Sequence, residues 1–173
     1  MARPGAIHQR MSDRLAKWWT VAIRAVVGYG FIAHGLAKLS RGPDAFAAIL
    51  QALAVPAPHA MAWITILVEL LGGLAVLLGA YVRLASVPLS AVLIVAIATV
   101  HWPYGFSSIK LLAVTRDGAQ FGPPGYETDL LYLACLAALV LHGPGPLSIG
   151  DPWNTSERRP VIQSIRNRFS RSR

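Results

Sequence analysis

Residues 24–38 read RAVVGYGFIAHGLAK, from Arg24 to Lys38, and this stretch decides the fold. It is apolar enough to enter a lipid bilayer, yet it carries an arginine, a histidine and a lysine. On a helix, where each residue advances about 100°, Gly28, Gly35 and Lys38 lie within about 40° of Arg24. Ionisable groups inside a membrane normally face protein or a cavity, and glycines allow a second backbone to come close. We therefore expect this face to be the interior of a small helical membrane protein.

The composition also indicates a membrane protein of one domain. Of the 173 residues, 54% are hydrophobic and only 14% are charged, whereas about 25% is usual in soluble domains. The net charge of +8 lies mostly at the two ends of the chain, before the first apolar run and after the last. Basic residues that flank membrane helices stay on the cytoplasmic side, so we expect both termini in the cytoplasm. Nucleic-acid binding is not expected, because no motif accompanies the charge.

Apolar runs predict an all-α, polytopic membrane protein, a bundle of four transmembrane helices. The predicted spans are 18–39, 60–81, 84–102 and 127–142. The last is shorter than the usual span of about 20 residues. A short amphipathic helix, capped by Asp44, is predicted after the first span, because Phe46, Ile49, Leu50 and Leu53 recur at helical spacing. It is expected on the periplasmic side, either on the membrane surface or over the bundle. Arg83 is predicted to be the hinge between the second and third spans, and 103–126 a loop.

The chain is expected to divide into a basic N-terminus at 1–17, a membrane domain at 18–151 and a basic tail at 152–173. In the tail, Val161, Ile165 and Phe169 recur at four-residue spacing among arginines. This pattern is typical of a helix that rests on anionic lipid and equally of a disordered basic segment. A basic start before an apolar run also fits a signal peptide, although Arg24 interrupts the run. The single cysteine, Cys135, is interpreted as a packing residue.

One predicted pair of charges lies deep in the bundle. Glu69 is the only charged residue of the second span, and depth estimates place it within reach of the long side chain of Arg24. An isolated charge at that depth would be far costlier than a paired one. We therefore expect a buried Arg24–Glu69 ion pair, which either fixes the helix register or takes part in function.

A second group of ionisable residues is predicted at the outer end. The topology brings His34 and Lys38 to the level of His101, Glu127 and Asp129. A quinone headgroup needs donors to its carbonyls, proton carriers and an apolar groove, and this group offers all three. Two histidines with Glu127 also fit the ligation of haem or a metal, and histidines at helix ends also serve only as caps.

Four segments carry a resemblance to a known family: Arg24-x3-Gly28-x2-Phe31-x2-His34-Gly35-x2-Lys38-Leu39, Glu69-x2-Gly72-Gly73-x5-Gly79, Gly125-Tyr126-Glu127 and Gly143-Pro144-Gly145-Pro146-Leu147-Ser148. Over about residues 24–151 the chain resembles the DoxX family, which includes DoxD-type subunits of thiosulfate:quinone oxidoreductases. The resemblance implies a four-helix protein of the bacterial inner membrane. It also implies association with quinone-linked sulfur oxidation or with redox-stress complexes.

The resemblance carries functional roles to His34, Lys38, Glu69 and Glu127, and a structural role to Arg24. In a quinone-linked reaction we expect three catalytic residues: Lys38 attracts an anionic donor, His34 donates to a quinone carbonyl and Glu127 exchanges protons. The expected quinone-binding residues are His34, Phe31 and His101. No metal and no covalently bound cofactor are expected, and quinone is expected as a substrate.

Two hypotheses for function follow. The first is a subunit of a quinone-linked oxidoreductase whose donor is a sulfur compound; because no cysteine lies near the outer group, another protein or a direct route must supply the sulfur chemistry. The alternative is a non-catalytic scaffold in the lipid bilayer, which holds a soluble redox partner at its arginine-rich tail. A homo-oligomer through the glycine faces competes with packing inside the bundle, and a small-solute carrier is a distant third hypothesis.

Overall fold

The computed structural model describes residues 18–149 and consists of α-helices and one β-hairpin. The helices are α1 (Trp19–Arg41), α2 (Pro43–Ala52), α3 (Pro58–Leu78), α4 (Val82–Ala96) and α5 (Glu127–His142). Helix α4 continues as a π-helical turn (Ile97–His101) and a 3-10 turn (Trp102–Tyr104). The hairpin joins β1 (Leu111–Thr115) to β2 (Gly118–Phe121). The predictions for the N-terminus at 1–17 and for the tail at 152–173, including its lipid-resting helix, lie outside the described residues.

The four long helices predicted from the sequence are present, as α1, α3, α4 and α5. Within residues 18–149, three helical segments are long and apolar enough to cross a membrane: Trp19–Arg41, Pro58–Leu78 and Val82–Tyr104. Helix α5 has 16 residues, a length of about 24 Å, so the fourth span stays a prediction. Large apolar side chains cover the outside of these helices, among them Val26, Tyr29, Leu71, Leu84, Val87 and Leu131. An apolar belt of this extent suits a bilayer and not water.

Helices α1 and α3 touch through two glycines. A Cβ atom built on Gly28 would lie 2.8 Å from the carbonyl oxygen of Gly73, and one on Gly73 would lie 2.9 Å from that of Gly28. Such distances exclude a side chain at either position. Farther along α1, Gly35 lies against Leu70 and Glu69, which precede Gly73, so the two helices run antiparallel. A homo-oligomer through these glycines would therefore have to displace α3.

The face of α1 predicted to be the interior is buried. Arg24 and Phe31 are 3% and 2% exposed. The ring of Phe31 packs edge to face on Tyr132 of α5, with centroids 5.4 Å apart. On the other side of the core, Leu89 of α4 packs against Gly72 of α3. Helix α1 is thus held between α3 and α5, and α4 closes the bundle.

The turn between α3 and α4 lies at Gly79 and not at Arg83, where the sequence predicted it. Gly79 ends α3 in a left-handed conformation, with φ 69°. Glycine adopts this conformation with less strain than any residue that has a Cβ atom. Arg83 instead lies in the first turn of α4, where its Nε donates to the carbonyl of Val140 in α5, 3.3 Å away.

The predicted short helix is present as α2, but the predicted cap is wrong. Gly42 occupies the cap position and makes no side-chain hydrogen bond, and Pro43 begins the helix. Asp44 lies in the first turn, with its carboxylate 3.3 Å from Nδ1 of His59 at the start of α3. The apolar side of α2 packs on α3 through Ala47, Leu50 and Ala62.

The segment predicted as a loop contains the β-hairpin, so the expectation of a purely helical fold is wrong there. The strands pair antiparallel around Arg116 and Asp117, with Thr115 opposite Gly118. Gly118 has φ 121°, which a glycine adopts without strain. The Asp117-Gly118 pair between apolar residues is the sequence signal that identifies such a hairpin.

We expect Gly28→Val to destabilise the bundle, because the new side chain meets the backbone of Gly73. The expected loss in the free energy of unfolding in detergent is about 1–3 kcal/mol or more, the usual range for overpacked cores. The matched control is Ala25→Val, an exposed position one turn earlier on the lipid side of α1. Equal stability of the two variants would contradict the close helix contact.

Candidate functional site at one end of the bundle

Lys38 and Glu69 form an ion pair between α1 and α3. The Nζ atom of Lys38 lies 2.5 Å from both carboxylate oxygens of Glu69. The side chains are 24% and 5% exposed, so the pair is largely withdrawn from solvent. Gly35 makes the pairing possible, because a Cβ atom there would lie 3.3 Å from that of Glu69. The ring of Phe46 in α2 lies 5.3 Å from the same Nζ and covers the pair.

The predicted Arg24–Glu69 ion pair is wrong, and side-chain direction explains why. Side chains on a helix tilt toward its N-terminus. Because the two helices run antiparallel, Arg24 and Glu69 lie on opposite sides of the Gly28–Gly73 contact. Each side chain tilts away from that contact, so the two point away from each other. Lys38 lies beyond Glu69 on the same side of that contact, so these two side chains point toward each other.

His101 and Asp129 face each other across the ends of α4 and α5. Nδ1 of His101 lies 3.1 Å from the carbonyl oxygen of Pro124. A carbonyl only accepts, so Nδ1 carries the proton. The other ring nitrogen, Nε2, lies 3.9 Å from a carboxylate oxygen of Asp129. This separation is too long for a hydrogen bond, so the two groups attract each other as an ion pair when the ring is protonated.

The π-helical turn Ile97–His101 precedes this pair. It ends at His101, and such turns occur often at functional sites. Nothing in the sequence indicated it, although His101 itself was among the expected residues.

His34 connects the two pairs. Its ring interacts electrostatically with Asp129, and it lies one helical turn from Lys38 on α1. Two acids and three bases thus lie at one end of the bundle in a group that we call the acid–base cluster: Glu69, Lys38, His34, Asp129 and His101. The structure brings together four of the five residues predicted for the outer end and adds Glu69, whose predicted partner was Arg24.

Two of the expected site residues lie outside the cluster. Glu127 accepts a hydrogen bond from the backbone N–H of Ser108, 3.0 Å away, and so holds the loop before α5. Phe31 is a core residue against Tyr132. Neither reaches the cluster, because Glu127 is turned toward the loop and Phe31 toward α5.

The donor set does not assemble a metal centre in the part of the chain that the structure describes. No three His, Cys, Asp or Glu side chains there are arranged to hold an ion. Glu127, the carboxylate considered with His34 and His101 as a ligand, is bound to Ser108 instead.

The family model described as DoxX matches residues 19–102. The chain is a DoxX family protein. The match runs from α1 to the end of α4 and includes His34, Lys38, Glu69 and His101 of the cluster. No curated protein and no solved structure matches the chain significantly.

In this DoxX protein, Arg24 serves the opposite end of the bundle. Its Nη atoms donate to the carbonyls of Pro144 and Leu147, at 3.0 and 3.1 Å. Gly79 leaves room for the guanidinium, since a Cβ atom there would collide with Arg24 Nη1. The backbone N–H of Ile149 donates to the carbonyl of Leu78, 3.2 Å away. Arg24 therefore holds the segment after α5 against α1 and the α3–α4 turn. Three of the four sequence segments that carry the family resemblance, those with Arg24, Gly79 and Pro144, meet at this point.

We expect the Lys38–Glu69 pair to appear as coupling in a double-mutant cycle. Lys38→Met and Glu69→Gln should each lower the free energy of unfolding by about 1–3 kcal/mol, because each leaves a partly buried charge without its partner. The double variant should lose less than the sum by about 1 kcal/mol or more. A parallel cycle with Arg24→Gln and Glu69→Gln should be additive, and coupling there instead would contradict the pairing.

We expect Arg24→Gln to release the segment that follows α5. Hydrogen exchange of the Ile149 amide should become faster, because its hydrogen bond to Leu78 depends on the docked segment. The control is Arg83→Gln, which removes an exposed donor to Val140. Exchange that changes equally in both variants, or in neither, would show that Arg24 does not hold the segment.

Proposed function

We propose that this DoxX protein is a subunit of a quinone-linked membrane oxidoreductase and that a quinone headgroup is bound at the acid–base cluster. The observation that carries the proposal is the grouping of two acids and three bases, contributed by four helical segments, at one end of an apolar bundle. Within this group, Nε2 of His101 lies 3.9 Å from a carboxylate oxygen of Asp129, and its Nδ1 is held by the carbonyl of Pro124. A membrane quinone needs both an apolar path for its tail and such groups at its head.

The chemistry fits a two-electron reduction. A quinone that becomes a quinol takes up two electrons and two protons. The electrons come from a reduced sulfur compound or from a redox protein of the same complex. His101 with Asp129 supplies one proton, and His34, which is exposed and faces Asp129, donates to a carbonyl and supplies the other. Both groups then regain protons from the adjoining solvent.

The contacts change two of the roles implied by the resemblance. Glu69 compensates the charge of Lys38, so attraction of an anionic donor is weaker than for a free ammonium. Lys38 instead positions α1, which carries His34. Asp129 takes the place of Glu127 as the carboxylate that exchanges protons with the headgroup.

The proposed setting is the bacterial inner membrane, with several spans and both termini in the cytoplasm. The basic residues at the two ends of the chain support this orientation. The acid–base cluster then lies on the periplasmic side, with α2.

The second candidate is a non-catalytic scaffold that holds a soluble redox partner at the cytoplasmic tail. The six arginines after residue 157 support it. Removal of residues 157–173 should release a partner that the tail holds, and should leave quinone binding at the acid–base cluster unchanged.

We expect a short-chain quinone to bind the purified protein saturably and to lose affinity when the cluster is altered. His34→Ala, His101→Ala and Asp129→Asn should each weaken binding by about tenfold or more, since each removes a hydrogen bond to the headgroup or its proton source. The measurement is titration of a ubiquinone or menaquinone analogue in detergent.

The matched control is His142→Ala, at the opposite end of the bundle. There His142 contacts Trp19 and the carbonyl of Ala138. Thermal unfolding of every variant separates lost binding from lost folding. Unchanged affinity in folded His34→Ala and Asp129→Asn variants, or no saturable binding by the wild type, would contradict the proposal and favour the scaffold.

A further inference from the structure

The β-hairpin has one apolar face. Cross-strand partners lie on the same face of a sheet and successive residues alternate. The pairs Val114–Ala119 and Leu111–Phe121 therefore share one face. The register shift between Leu111 and Ala113 is a bulge that adds one residue to β1. Without this bulge, strict alternation along β1 would place Leu111 on the face opposite to Val114.

The opposite face is formed by the remaining pairs. These are Ala113–Gln120 and Thr115–Gly118. The hydroxyl of Thr115 is used within the turn, where it donates to the carbonyl of Gly118, 3.1 Å away. The hairpin is thus amphipathic, with one face of large apolar side chains and one of small or polar ones.

The apolar face is uncovered by the rest of the described chain. Leu111, Val114 and Phe121 are 57%, 76% and 59% exposed. An isolated two-stranded hairpin is marginally stable in water, and an exposed apolar strand pair invites aggregation. This face therefore requires an occupant.

The base of the hairpin is fixed to the end of the bundle. The N–H of Gly122 donates to the carbonyl of Lys110, 2.8 Å away, and that of Glu127 donates to the carbonyl of Phe106, 2.9 Å away. Trp102 stacks on Tyr126, with centroids 5.6 Å apart. The hairpin is thus anchored where α4 ends and α5 begins.

The residues at this base are those that anchor proteins at the membrane surface. Trp102 and Phe106 are 65% and 57% exposed, and the ammonium of Lys110 lies 5.9 Å from the ring of Tyr104. Tryptophan, tyrosine and lysine are typical of the boundary between lipid and water. The membrane-spanning segment Val82–Tyr104 ends among them, which places the hairpin at that boundary.

We propose that the apolar face of the hairpin lies on the lipid bilayer, among the headgroups and the first part of the acyl chains. Lipid is favoured as the occupant because exposed apolar residues continue along the chain from α4 to the hairpin. They are Val100, Trp102, Phe106, Ile109 and Leu111. The lipid-facing belt of the bundle thus extends directly into the hairpin face. This proposal does not depend on quinone binding.

The loop that carries the hairpin is held at both ends, by Glu127 of α5 at one end and by His101 of the acid–base cluster at the other. Ser108, before β1, is held by Glu127, and Pro124, after β2, accepts the hydrogen bond from His101. A hairpin seated on lipid would therefore fix the position of His101 at the level of the headgroups.

The test compares two neighbouring positions that lie on opposite faces. In a Cys135→Ser background, Val114→Cys and Thr115→Cys are each labelled with an environment-sensitive fluorophore and reconstituted into vesicles of phosphatidylcholine and phosphatidylglycerol. Quenching is measured with a lipid that carries a nitroxide near the headgroup, and with an aqueous paramagnetic ion on both sides of the membrane. Both positions are exposed, and Thr115→Cys removes only the hydrogen bonds of one hydroxyl within the turn, so we expect the paired strands to be retained.

We expect the label at 114 to be quenched by the nitroxide lipid at least about twofold more than the label at 115, since a surface-bound apolar face lies roughly 5–10 Å into the boundary. The aqueous ion should show the reverse order. Equal, strong quenching of both labels by the ion would overturn the proposal in favour of a solvated hairpin. A label at 114 shielded from both quenchers would overturn it in favour of a protein occupant, which cross-linking would assign to a second copy or to another chain.

Discussion

The contact between Gly28 and Gly73 fixes the rest of the structure. It brings the backbones of α1 and α3 closer than any side chain would allow, and it sets the level of every residue on one helix relative to the other. Gly35 continues the close approach toward Glu69. The position of the charges then follows from helix geometry, because the two helices run antiparallel and their side chains tilt in opposite directions.

Two cations on one face of α1, one buried and one partly exposed, are stabilised in different ways. Lys38 meets a carboxylate and forms an ion pair. Arg24 meets two backbone carbonyls of the segment after α5, which are unpaired there because Pro144 and its neighbours cannot continue a helix. The planar guanidinium can satisfy two carbonyls at once, which an ammonium does less well. A charge that is costly inside a membrane thus becomes the tie that holds a chain segment in place.

The helices could be predicted from the sequence, but the partners of the charged residues could not. Apolar runs and glycine spacing are local signals, and they identify α1, α3, α4 and α5 directly. The Arg24–Glu69 pair was inferred from depth alone and failed because depth does not include side-chain direction. The end of α3 at Gly79 depends on a left-handed glycine that also makes room for Arg24. The hairpin was missed because helical periodicity says nothing of a short pair of strands.

The acid–base cluster depends on these same constraints, and this argues that its parts act together. His34 and Lys38 lie one turn apart on α1, so the helix position that the Lys38–Glu69 pair fixes also sets the level of His34, whose ring interacts electrostatically with Asp129. His101 is set from the other side, by the π-helical turn and by the carbonyl of Pro124. Nδ1 is hydrogen-bonded to that carbonyl, so Nε2 is the ring nitrogen that lies toward Asp129, 3.9 Å away. One ring nitrogen, one carboxylate and a second imidazole are thus brought to the same end of the bundle, and these are the groups that the proposed proton transfer to a quinone headgroup would use.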